Sequence, residues 1–184
     1  LFTDIARRFH ALYAETYGAG THYLADAFNE MRPPVQGSTP EQRATILSRY
    51  GRALVDALQQ AQPGAVLAMQ GWLFGIDPEF WDPASVTAFL QDMPDDRVLM
   101  LDIANDTYRG VWEKHRAFGG KRWVYGYIHN FGGNNPLFGN LPQVQDDLAS
   151  LPGRADKGAL QGFGVFPEGL DTNSVVYDFM YDAA

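Results

Sequence analysis

The sequence predicts an α/β protein built on a parallel sheet, and three observations lead there. Helical and strand-like segments alternate along nearly the whole chain, the pattern of crossover units that lay strands side by side in one direction. The strand-like segments are apolar throughout instead of alternating, as parallel strands covered on both sides should be. No mononucleotide-type glycine fingerprint follows any strand, which favours a barrel over a doubly wound dinucleotide fold.

Residues 2–17 (FTDIARRFHALYAETY) carry Phe2, Ile5, Phe9, Leu12 and Tyr13 on one helical face, and Gly18 and Gly20 stop the helix. Residues 22–30 read as the first strand. A second helix over 40–61 opens with Pro40 and Glu41 and presents Ile46, Leu47, Tyr50, Leu54 and Leu58 as its stripe. AVLAMQGWLF (65–74) is the second strand, residues 83–92 a helix with Val86, Phe89 and Leu90 inward, and RVLMLDIA (97–104) the third strand. A short amphipathic stretch spans 107–117. WVYGYIHN (123–130) is the fourth strand, 142–151 a helix, ALQGFGVFPEG (159–169) the fifth strand and 173–182 a final helix. Five such units make part of an eight-unit (β/α)8 TIM-type barrel, with the remaining strands expected upstream.

With 184 residues, 46% of them hydrophobic, the chain suits one domain with a sizeable core, so residues 1–184 are read as one partial barrel domain. The net charge of −8 and the absence of any basic run disfavour nucleic acid and anionic membrane surfaces as partners. No apolar run is long enough for membrane insertion. With no cysteine there are neither disulfides nor thiolate metal sites, and the four histidines lack metal-ligand spacing. A start at Leu1 without methionine, and an end inside the helical run YDFMYDAA, raise the expectation of a segment from a longer protein.

The polar residues gather at the C-terminal ends of the predicted strands: Asn29 and Glu30; Gln70 and Trp72; Asp102 and Asn105; His129 and Asn130; Glu168. In a parallel barrel all these ends point to the face that holds the active site. Two carboxylates delivered by different strands suit glycosidic bond cleavage, one protonating the leaving oxygen while the other attacks or activates water. Aromatic side chains at the same rim suit the C–H faces of sugar rings. Each residue also has a plain structural reading. A glutamate at a strand end is more often merely solvated, Trp72 alone would more often be core, and His129 alone would be a core histidine bonded to backbone. Trp81 and Trp123 are read as packing, Asp95 and Asp96 as a solvated turn, and Gly132–Asn135 as a sharp turn, since a phosphate loop would need a lysine and a helix. Asp102 is assigned to the rim.

FNEMRPP (28–34), QGWLF (70–74), HNFGGNNPLFGN (129–140) and PEGLDTNSVVY (167–177) resemble glycoside hydrolase family 89, the alpha-N-acetylglucosaminidases. The resemblance runs from about residue 2 to 182, with four motifs in order. It implies a retaining exo-glycosidase that removes terminal non-reducing alpha-N-acetylglucosamine from glycans without a cofactor or metal. It also implies N- and C-terminal domains flanking the barrel and a secreted, periplasmic or lysosomal setting. By the same resemblance Glu30 is the acid/base, Glu168 the nucleophile and Trp72 part of the sugar pocket. His129, Asn130 and Phe131 are expected at the same rim. Asn29 is a candidate to bond a sugar hydroxyl. Tyr125 stands where the family carries a tryptophan, so it is expected to bear on the leaving group. Thr172-Asn173-Ser174 replaces the family's Gln-Asn-Glu, which alters a supporting or specificity contact and leaves the nucleophile in place.

In the double displacement these residues imply, Glu30 holds a proton at the start, favoured by an ionised Glu168 close by, since two near carboxylates resist ionising together. Retention calls for carboxyl groups roughly 5–5.5 Å apart. The alternative is a non-catalytic glycan-binding relative or fragment, which would need the aromatics but not two opposed glutamates. As an isolated piece the chain is expected to be inactive, with an open sheet edge that favours aggregation.

Overall fold

A computed structural model describes all 184 residues. Five parallel strands form one sheet in the sequential order β1 (His22–Leu24), β2 (Val66–Gln70), β3 (Val98–Asp102), β4 (Arg122–Tyr127), β5 (Leu160–Val165). Neighbouring strands in the chain are neighbours in the sheet, with Tyr23 opposite Leu67, Met69 opposite Met100, Leu101 opposite Val124 and Tyr125 opposite Phe163. That is the arrangement of successive βα units in a barrel wall. The helices are α1 (Phe2–Tyr17), α2 (Pro40–Ala61), α3 (Leu73–Ile76), α4 (Pro83–Leu90), α5 (Val111–Lys114), α6 (Leu141–Ser150) and α7 (Ser174–Ala183).

Local chemistry sets the helix starts. Thr39 and Gln42 form a reciprocal capping box at the head of α2, with Pro40 in its first turn. Asp82 caps α4, Asn140 caps α6 and Asn173 caps α7, each accepting a backbone N–H three residues on. α2 and α4 cross so closely at Gly51 that a Cβ there would lie 2.0 Å from the Phe89 carbonyl oxygen.

The two faces of the sheet differ. Alternate strand residues such as Leu67, Met69, Val98, Met100, Trp123, Tyr125 and Tyr127 point toward the helices and are buried in the main core. The other face is concave and only partly covered. There Ile103, Ala104 and Ile128 form a small second cluster, with Trp72, Leu101, Tyr108, Phe131 and Phe166 packed against it. The apolar run of each strand therefore serves one helix-covered face and one half-open face, not two helix layers.

Several expectations change. The second, fourth and fifth strands end at Gln70, Tyr127 and Val165, short of the stretches read as strand, and Leu73 and Phe74 open α3. The first strand ends at Leu24, because residues 25–31 turn back with Phe28 (φ 62°) and Glu30 (φ 52°) in the left-handed region. The predicted stripe of α1 does not face the core. Phe2, Ile5, Phe9 and Leu12 are more than half exposed, and no residue of α1 is buried. α1 packs along α2 and touches β1 through His10 and Tyr13, whose rings meet Tyr23 at 5.5 and 6.0 Å.

Candidate active site

The loops that follow the strands at their C-terminal ends carry the candidate residues, and on the β4–β5 side they are tied together. Asn130 is completely buried, and its side-chain carbonyl accepts the Glu168 backbone N–H at 3.0 Å. Its amide nitrogen reaches the carbonyls of Gly169 (3.4 Å) and Asp171 (3.3 Å). The Tyr177 hydroxyl donates to the Ile128 carbonyl at 2.7 Å and lies 3.2 Å from Asn130 Oδ1. Burial raises that phenol to about 12, so it stays a donor. The Glu168 carboxylate, itself exposed, accepts the backbone N–H of Gly132. A charged acceptor is oriented by a fixed backbone donor. Gly132 can offer that N–H because it adopts φ 61°.

Asn130, expected at the rim as a substrate-binding residue, is buried with its amide used on both sides, and it ties down the Glu168 loop. Tyr125 is corrected. It is buried on the helix-facing side of β4, where its hydroxyl donates to Asp147 of α6 at 2.8 Å beside Tyr127. Strand alternation sends it away from the rim. Asp102 also points into the helix layer, 1% exposed, with Oδ2 lacking any partner, and burial pushes its carboxyl up to about 7.

Phe131, next to Gly132, is half-buried at the rim. His129 sits at φ 60°, with Nε2 2.7 Å from the Phe138 carbonyl and its ring edge-on to Tyr177. Its backbone N–H donates to Asp106 at 2.5 Å. Trp72 is half-buried after β2, and its indole N–H donates to Gln70 at 2.6 Å. It stacks at 20° on Tyr108. Asn29 and Glu30 are exposed in the loop after β1. Glu30 borders a cavity of about 280 Å³ with Phe28, Leu73, Ile76 and Trp81. The two glutamates follow the two edge strands of the sheet, β1 and β5.

The family model for the alpha-N-acetylglucosaminidase (NAGLU) TIM-barrel domain matches residues 1–184, the whole chain. The chain belongs to glycoside hydrolase family 89, the alpha-N-acetylglucosaminidases. Human alpha-N-acetylglucosaminidase is 35% identical over 182 residues, which are 98% of this chain and 23% of that protein. A family 89 glycoside hydrolase from Clostridium perfringens, solved in complex with 2-acetamido-1,2-dideoxynojirmycin, superposes with a TM-score of 0.73 at 19% identity, over 100% of this chain and 19% of that one. A variant of the Clostridium perfringens enzyme with two Glu→Gln substitutions, in complex with GlcNAc-alpha-1,4-galactose, superposes with a TM-score of 0.72 at 17% identity, over 98% of this chain and 18% of that one. The chain thus spans about a fifth of the length of these relatives, and it supplies five consecutive βα units of the family 89 barrel. No helix in it is long and apolar enough to cross a membrane.

Several residues of this family 89 rim carried no readable sign. Tyr108 lies inside the short amphipathic stretch 107–117, to which the sequence assigns no role. Asp106 looked like any loop acid, yet it accepts the backbone N–H groups of Ile128 and His129. Tyr177 closes the motif PEGLDTNSVVY, one turn into a helix capped by Asn173, yet the sequence assigns it no role.

Proposed function

We propose that this chain carries the catalytic centre of a retaining exo-alpha-N-acetylglucosaminidase that works by double displacement. Glu168 is the nucleophile. It attacks the anomeric carbon while Glu30 protonates the departing glycosidic oxygen. With Glu168 esterified, Glu30 takes a proton from water, which then releases the sugar with its anomeric configuration kept. The observation that carries the reading is the hold on Glu168: a carboxylate fixed by a backbone N–H from β4's loop, on a loop anchored by buried Asn130. A nucleophile must be ionised and aimed, and a solvated glutamate needs neither support.

Membership in family 89 supports the substrate class, a terminal alpha-linked N-acetylglucosamine. The substrate-bound relative with two glutamates replaced by glutamine supports a pair of catalytic carboxylates. Trp72 and Phe131 serve as apolar surface for the sugar, and Asn29 bonds one of its hydroxyls. His129, tied to Phe138, lines the same rim. The rest of the full-length protein completes the barrel wall and supplies the flanking domains, so this chain alone is inactive.

The test is turnover of an aryl alpha-N-acetylglucosaminide by the full-length protein, with the first-formed product anomer followed by NMR. Alpha product supports the reading. Beta product, or no hydrolysis, overturns it.

A further inference from the structure

We infer that Tyr108 is a substrate-contacting residue, the central ring of an aromatic cluster that lines the terminal sugar, with Trp72 nearly parallel to it (20°) and Phe131 edge-on (88°); the inference rests on the glycosidase reading above. Three rings from three successive strand-end loops lie in a row. Trp72 and Tyr108 have centroids 6.3 Å apart, and Tyr108 and Phe131 6.4 Å apart. All three are half-buried and rest on the Ile103–Ile128 cluster of the concave face. Phe131 adjoins Gly132, the residue that holds Glu168, while Trp72 adjoins Leu73, which borders the cavity of Glu30. Tyr108 therefore sits midway along the row that links the loops of the two glutamates.

The loop bearing Tyr108 is bolted on both sides. Asn105, buried, donates to the carbonyls of Asp102 (2.7 Å) and Gly126 (3.2 Å), and its own carbonyl accepts from Gln143 at 3.2 Å. Asp106 takes two N–H groups from the end of β4, and Arg109 pairs with Asp147 at 2.6 Å. Gly75 clears the seat, since a Cβ there would fall 2.6 Å from that of Tyr108. Yet the Tyr108 hydroxyl, unlike those of Tyr125, Tyr127 and Tyr177, bonds nothing within the chain. A ring on a loop clamped this firmly, still partly exposed and with its polar end unspent, is built to pack on the C–H face of a pyranose and donate a hydrogen bond to it.

The test uses the full-length protein carrying Tyr108→Leu or Tyr108→Phe. Turnover is read on an aryl alpha-N-acetylglucosaminide, and binding of 2-acetamido-1,2-dideoxynojirmycin, the ligand of the Clostridium perfringens relative, by calorimetry. Tyr108→Leu should raise both KM and the inhibitor Kd by about tenfold with a melting temperature near wild type, and Tyr108→Phe should raise Kd by about threefold. A folded Tyr108→Leu protein that binds and turns over like wild type overturns the inference while leaving the glycosidase reading intact. If Tyr108→Leu does not fold, Tyr108→Phe decides: an unchanged Kd overturns the inference. A wild-type protein that neither binds the inhibitor nor hydrolyses the glycoside overturns the glycosidase reading, and this inference falls with it.

Discussion

The side-chain carbonyl of Asn130 accepts the backbone N–H of Glu168 at 3.0 Å, joining the ends of two strands across 38 residues of chain. Asn130→Ala would strip a bond from Glu168, Gly169 and Asp171 and leave buried polar groups unpaired. We expect a loss of about 2–4 kcal/mol in unfolding free energy, together with a fall in kcat larger than any rise in KM. Tyr177→Phe removes only a hydroxyl and should cost about 1 kcal/mol. Denaturant melts and steady-state kinetics on the full-length protein check both.

The two glutamates should fail differently when replaced. Glu168→Gln removes the proposed nucleophile and should abolish turnover on every substrate. Glu30→Gln removes the proposed proton donor, so the loss should be about 10²–10⁴-fold on a disaccharide and far smaller on an aryl glycoside whose phenol leaves unaided. Equal losses on the two substrates would count against Glu30 as the acid.

Two buried groups should give opposite pH dependences of stability. Burial pushes Asp102 up to about 7, so between roughly pH 4 and 7 the native chain keeps a proton that the unfolded chain has lost, and stability falls as pH rises. Burial, aided by Lys114, pushes His115 down to about 4. The unfolded imidazole therefore gains a proton below about 6.5 that the native one refuses, and stability falls as pH drops through that window. In the wild type the two trends oppose each other. Asp102→Asn should leave stability rising from pH 4 to 6.5, and should be stabilising above pH 7 by up to about 4 kcal/mol. His115→Gln should leave stability declining from pH 4 to 7. Urea melts across that range read out both slopes.

Gly51→Ala should be costly, because its Cβ meets the Phe89 carbonyl at 2.0 Å and the Met93 methyl at 2.9 Å. A loss of about 2–3 kcal/mol is expected from overpacking the α2–α4 crossing. Gly153→Ala, with nothing within 4 Å of its Cβ, is the matched control and should change stability by less than about 0.5 kcal/mol.

The parts of the fold that sequence made legible are those whose signals are local. α2 announced itself by Thr39, Pro40 and its stripe, and the strands by dense apolar runs. Strand ends were overread because apolar content continues where pairing stops: Ala25 to Phe28 look like strand, yet Phe28 turns left-handed and packs its ring 5.1 Å from Tyr50. The same loss of phase misplaced Tyr125. It shares parity with His129, but the positive φ at His129 breaks the alternation, so the histidine comes to the rim while the tyrosine stays among the helices. Tyr108 was hidden for a different reason, since its neighbours Trp72 and Phe131 are brought to it only by the sheet. Backbone strain was equally unreadable: Glu30 and His129 both hold a conformation that costs a non-glycine residue about 1 kcal/mol.

β1 and β5 are the outermost strands, and the loops of Glu30 and Glu168 extend from their tips. The span between these acids is thus governed by how strongly the whole wall bows, much as the arms of a caliper set its jaws. Flattening the wall would draw the acids apart. Remote substitutions that alter curvature would therefore upset the spacing that the proposed double displacement needs.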